Sequence, residues 1–174
     1  MGSDKLLPEV AQLTKDSPQG QRLGEGWERI FMRDYQPHLR PFPQVRAFVT
    51  RLREAGLKVA IASSSQAAQL DALLKVADIA DLLDETTSSD DAAQSKPAPD
   101  IIGAALQKIG LGAAETLLIG DIPYDIEAAQ KLGMRTVAVR CGGFSDAELA
   151  GAIAIYDDPA DLLARFGTSP FSAE

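Results

Sequence analysis

Apolar positions along this chain change period repeatedly, and each change marks an element. Val45, Phe48, Val49 and Leu52 fall at helical spacing, with Gly56 as a stop. Residues 57–62 (LKVAIA) then read as a buried strand, ending in Ser63-Ser64-Ser65, and residues 66–76 as helix. Residues 81–87 form a weaker strand and 88–95 a polar loop, after which Lys96-Pro97-Ala98-Pro99-Asp100 opens a helix closed by Gly110. The short run at 116–119 (TLLI) is mainly apolar, as suits a strand buried on both faces, and Gly120-Asp121 breaks it. Pro123 sits where a first helical turn tolerates it; Ile126, Ala129 and Leu132 follow at helical spacing, and Gly133 ends the helix. A strand at 135–139, a loop at 141–143, a short helix at 145–150, a small strand at 153–156 and a helix at 157–166 complete the pattern. Alternation of this kind predicts an α/β fold, a three-layer Rossmann-like parallel sheet with helices on both faces.

Residues 1–41 have another texture. Leu6, Leu7 and Val10 suggest one helix, and residues 24–35 a second with Trp27, Ile30 and Phe31 on one face. Asp16-Ser17-Pro18-Gln19-Gly20 between them is turn chemistry. Pro37, Pro41 and Pro43 make a stiff connector to the remainder, 42–174.

Composition narrows the function classes. A net charge of −8 argues against a nucleic-acid surface. No stretch approaches the ~18 apolar residues of a membrane span, and no signal-peptide core opens the chain, so the expected location is cytoplasmic. A single cysteine (Cys141) and a single histidine (His38) exclude an internal disulfide and clusters of Cys or His around a metal.

The candidate chemistry is therefore oxygen and ammonium chemistry. Asp121 falls at the carboxyl end of a strand and Asp125 in the first turn of the next helix, at the sheet edge where ligands bind. Two carboxylates held there suit a hard cation such as Mg²⁺; equally, they suit a cap and a favourable helix-dipole contact, about 1 kcal/mol each. Ser63, with the N–H groups of Ser64 and Ser65, suits a phosphoryl oxygen, or an ordinary helix cap. Lys96, stiffened by Pro97, suits a phosphate as a point charge, or a solvated loop.

In order along the chain, IASSS (61–65), SKPAPD (95–100) and IGDIPYD (119–125) resemble the haloacid dehalogenase superfamily, in its phosphoglycolate phosphatase/β-phosphoglucomutase-like group. The resemblance covers 42–166 as the core, and residues 1–41 resemble part of that group's α-helical cap. It implies Mg²⁺-dependent hydrolysis of a small phosphorylated metabolite through an aspartyl-phosphate. Ser63, Ser64, Ser65 and Lys96 would bind the phosphate, Lys96 would also balance charge on the nucleophile, and Asp121 and Asp125 would hold the metal, Asp125 directly or through water. The Gly-Asp pair resembles the phosphatases more than the sugar-phosphate mutases.

One part of the pattern is missing. The family's first motif, a strand followed by D-x-D-G-[ST], supplies the nucleophile and lies before the cap; no stretch here matches it, and Asp90-Asp91 lies in the wrong context. Three expectations follow: Met1 is internal to a longer protein; the chain is a non-catalytic phosphate-binding or protein-interaction module; or the strand comes by self-association or from a complementing chain. In each case the chain alone is expected to be inactive, with its sheet open where that strand belongs.

Overall fold

The computed structural model describes residues 3–172. Two helices, α1 (Ser3–Ala11) and α2 (Pro18–Ile30), precede the alternating part. There follow α3 (Val45–Glu54), β1 (Ala60–Ala62), α4 (Ala67–Ala77), β2 (Glu85–Thr87), α5 (Asp100–Ile109), β3 (Leu117–Gly120), α6 (Pro123–Gln130), β4 (Arg135–Val139), β5 (Ala154–Tyr156) and α7 (Pro159–Ala164). Every strand pairing is parallel, as the alternation predicts.

The sheet, however, is in two pieces. β1 pairs only with β2, and β3, β4 and β5 form a separate ladder in that order. Two apolar layers hold the pieces side by side. On one face Phe48 and Leu52 of α3 and Leu162 of α7 pack with Val137, Val139 and Tyr156, and both Val59, just before β1, and Leu117 of β3 join them. On the other, Ile102 of α5 and Ala128 and Ala129 of α6 pack with Ala62 of β1 and Leu118 of β3. β1 and β3 therefore lie under the same two apolar layers without a hydrogen-bonded ladder between them. β4, paired on both sides, is buried at all but its first residue, whereas β1 is half-buried throughout and Ile119 of β3 is 37% exposed.

Several boundaries depart from the apolar pattern for identifiable reasons. The segment expected to be a turn at 16–20 instead starts a helix: Ser17 caps α2 by accepting from the Gly20 N–H (3.0 Å), and Pro18 fills the first position. The second helix continues through a π turn, Phe31–Tyr35, in which Phe31 stacks on Trp27 (ring centroids 5.3 Å apart), but Trp27 and Ile30 stay exposed. The first strand is shorter than 57–62, because the Asp84 carboxylate takes the Val59 N–H (2.8 Å) before the ladder begins. Residues 81–87 split into a 3₁₀ turn and a three-residue strand. No helix forms at 145–150: Glu148 accepts from the Ser145 N–H and hydroxyl (2.8 and 2.7 Å), a turn anchored by fully buried Leu149. Among the described residues no helix is long and apolar enough to cross a membrane.

Candidate active site

The carboxyl ends of β1 and β3 meet at one side chain. Lys96 lies on the loop that enters α5, and its ammonium donates to the carbonyl of Ala62, the last residue of β1 (3.2 Å). The same ammonium lies 2.7 Å from Asp125 Oδ1. The other oxygen of Asp125 accepts from the Asp121 N–H (3.1 Å), at the end of β3. Lys96 is thus no solvated loop residue: its side chain is only 15% exposed, and that of Asp125 only 6%. Because Ser63 follows Ala62 directly, Ser63, Lys96, Asp121 and Asp125 do converge on one edge.

Two glycines make this closeness feasible. A Cβ on Gly120 would sit 2.5 Å from the Asp125 Cβ, and one on Gly142 would sit 2.1 Å from the Asp121 carbonyl oxygen. Neither position accommodates a side chain without moving the acidic pair.

The charge balance leaves an excess of acid. Burial pushes the Asp121 carboxyl up, the Asp125 charge beside it pushes the same way, and Lys96 offsets only part. A hard divalent cation would neutralise that excess, and Mg²⁺ takes one or two carboxylates and fills its other positions with water and phosphate oxygens. Asp121 fits as a direct ligand. Asp125, with one oxygen on Lys96 and the other on a backbone N–H, fits through a water. Among the described residues no group of three or more metal-binding side chains gathers here.

The serine loop divides its roles. The Ser63 N–H donates to the Thr87 carbonyl (2.9 Å), which ties the loop to β2. Ser63 Oγ accepts from the Ser65 N–H (3.1 Å), so this part of the loop has the local turn that a capping serine makes. α4 begins beyond it, at Ala67, after Gln66. Among the described residues Ser64 Oγ is buried without a hydrogen-bond partner, as is Oγ1 of the fully buried Thr87. Buried hydroxyls of this kind are uncommon. Asp91, excluded as a substitute nucleophile, is committed to Lys108 (2.8 Å).

Two residues that the motifs do not mark hold the Lys96 loop on either side. Asp4, in the first turn of α1, accepts from the Ser95 N–H (3.0 Å); burial raises its carboxyl, but the bonds from Ser95 outweigh this and leave it below the ordinary value. Lys131, at the end of α6, donates to the Pro97 carbonyl (2.8 Å) and pairs with Glu127 (2.8 Å). The i, i+4 spacing of Glu127 and Lys131 was legible in the sequence; the reach of either Lys131 or Asp4 was not. A surface hollow along α3, lined by Phe42, Val45, Arg46, Arg51, Asp78 and Leu163 among others, shares no residue with this site.

The model of the haloacid dehalogenase-like hydrolases matches residues 6–139. The chain belongs to that family. A hydrolase from Pseudomonas syringae has the same fold, with a TM-score of 0.83 and 29% identity, over 97% of this chain and 78% of that one. The chain is 31% identical to a phosphoglycolate phosphatase of Rhodospirillum rubrum over 123 residues, 70% of this chain and 51% of that protein. It is 39% identical to the chloroplastic protein SUPPRESSOR OF QUENCHING 1 of Arabidopsis thaliana over 120 residues, 67% of this chain and 11% of that protein. The haloacid dehalogenase-like chain thus spans about half the length of the R. rubrum relative and far less of the plant one.

Proposed function

We propose that this chain carries the phosphate- and Mg²⁺-binding part of a phosphatase site for a small phosphorylated metabolite. The observation that carries the reading is the convergence of Lys96, Asp121 and Asp125 on one sheet edge, with Lys96 and Asp125 paired and nearly buried. The named phosphoglycolate phosphatase among the relatives supports a monoester as substrate. Residues 1–41 act in this reading as part of a cap above the site.

Bound at Asp121, Mg²⁺ would supply positive charge to a phosphoryl oxygen. This chain's own residues do the rest. The Lys96 ammonium faces the edge as a fixed charge for the phosphate, held by Ala62 and Asp125 so that little of its freedom is lost on binding. The Ser64 hydroxyl, without a hydrogen-bond partner among the described residues, is a donor for a further oxygen. Asp125 keeps the Asp121 backbone in place through its N–H.

Among the described residues at this edge no side chain is placed as a nucleophile, so binding without turnover is the expected behaviour of the isolated chain. With Mg²⁺ present, p-nitrophenyl phosphate should show no enzyme-dependent release of nitrophenolate, while inorganic phosphate should bind. Turnover at an ordinary enzymatic rate would contradict the first expectation, and absence of phosphate binding the second.

A further inference from the structure

Lys96 is fixed at both ends of its side chain. The ammonium lies on the Ala62 carbonyl and on Asp125. The backbone lies in a turn closed by the Ala98 N–H, which donates to the Ser95 carbonyl (3.0 Å), and Lys131 donates to the Pro97 carbonyl within that turn (2.8 Å). The remaining anchor is the Ser95 N–H, which donates to Asp4 Oδ2 (3.0 Å) across 91 positions of sequence. Ser95 is 5% exposed, and its side chain bonds to Asp4 as well. Every other anchor belongs to the alternating part of the fold; Asp4 comes from α1. Among the described residues this is the one hydrogen-bonded tie from positions 3–41 to the part beyond them.

We infer that Asp4 is a positioning residue for Lys96: acting through Ser95, it makes the charge offered to a phosphate depend on the seating of α1. Asp4 is not a counter-charge for Lys96. The charged side chain that draws on its carboxyl is Lys5, whereas the Lys96 ammonium is paired with Asp125. Its effect passes through the backbone. Bonds to an ionised acceptor are the strong kind, and a buried N–H that loses its acceptor carries the full cost of desolvation. Without Asp4, the turn would shift until the Ser95 N–H reached water. Lys96 follows Ser95 directly, so the root of its side chain would move while Ala62 and Asp125 still held the tip, and one of the two ends would give. Seated, α1 keeps Lys96 set before a ligand arrives; displaced, it leaves Lys96 to be ordered on binding. The consequence for phosphate rests on the function proposed for this edge, but the tie from Asp4 to Lys96 does not.

The test compares the whole chain with three variants. Asp4→Ala removes the acceptor, Asp4→Asn keeps an oxygen for the Ser95 N–H without the charge, and Glu9→Ala alters an exposed position of α1. Each is read by amide exchange at Ser95, by the side-chain ¹⁵N signal of Lys96, and by calorimetric titration of inorganic phosphate with Mg²⁺. In Asp4→Ala the Ser95 amide should lose about tenfold or more of its protection, and the Lys96 signal should move. Phosphate affinity should fall by about two- to tenfold, the range for a long side chain left unordered before binding. Asp4→Asn should restore most of all three, which a dipole contribution of Asp4 to α1 would not do. Glu9→Ala should match the parent. An unmoved Lys96 signal in Asp4→Ala overturns the inference, as does an equal effect of Asp4→Asn or Glu9→Ala, or an unchanged affinity where the parent binds phosphate. Should the parent bind none, the proposed function falls by itself, and Ser95 exchange with the Lys96 signal still decides whether Asp4 positions Lys96.

Discussion

Replacing Lys96 with methionine is expected to cost about 3–5 kcal/mol of stability, the usual effect of removing one partner from a buried ion pair. The cause is Asp125. With its side chain 6% exposed, it would keep the N–H of Asp121 but lose the ammonium on its other oxygen. Urea unfolding of the variant and the parent chain measures this loss. The double variant Lys96→Met/Asp125→Asn should recover part of the loss, because the amide oxygen can still accept from Asp121 and no charge is stranded. A loss undiminished in the double variant would show that Lys96 acts through packing alone.

Ile102→Ala is expected to cost about 2–5 kcal/mol, the range for deleting a fully buried aliphatic side chain. Its place raises the stakes. Ile102 is 1% exposed and packs in the layer that contains both Ala62 of β1 and Leu118 of β3. Since no ladder joins those strands, this layer and its counterpart under α3 and α7 are what keep the two halves in register. The variant should therefore weaken phosphate binding as well as stability, although Ile102 touches no ligand group. By contrast, a core substitution confined to the β1–β2 half, such as Leu74→Ala in the cluster of Val49, Leu70 and Ile79, should destabilise with less effect on binding. Calorimetric titration of the two variants below their unfolding temperatures separates these outcomes.

The parts of the fold that were legible in the sequence are those that local periodicity fixes. The α3 stripe Val45, Phe48, Val49 and Leu52 formed the expected helix, with the last three buried. Gly110 and Gly133 took the left-handed conformation expected of helix ends. The strand–turn–helix around Asp121 formed as read, because an apolar run, Gly-Asp and Pro123 leave few other arrangements. What periodicity could not show was decided by single side chains in competition with the backbone. Asp84 shortened β1, Ser17 turned a predicted loop into a helix start, and Glu148 held a turn where a short helix was expected at 145–150. The site follows the same rule. Lys96, Asp121 and Asp125 were visible as motif residues, but the burial of the Lys96–Asp125 pair arises only when the ends of β1 and β3 meet. Asp4 and Lys131 carry no mark at all, since what they do depends on loops far away in sequence.

Phosphate binding at this edge in the presence of Mg²⁺ is tested by backbone ¹H–¹⁵N spectra of the chain, titrated with inorganic phosphate with and without Mg²⁺. Saturable shifts are expected at Ser63, Ser64, Ser65, Lys96 and Asp121; they should require Mg²⁺ and vanish in Lys96→Met. Shifts confined to the hollow lined by Phe42, Arg46 and Arg51, or no saturable shift at all, would contradict it.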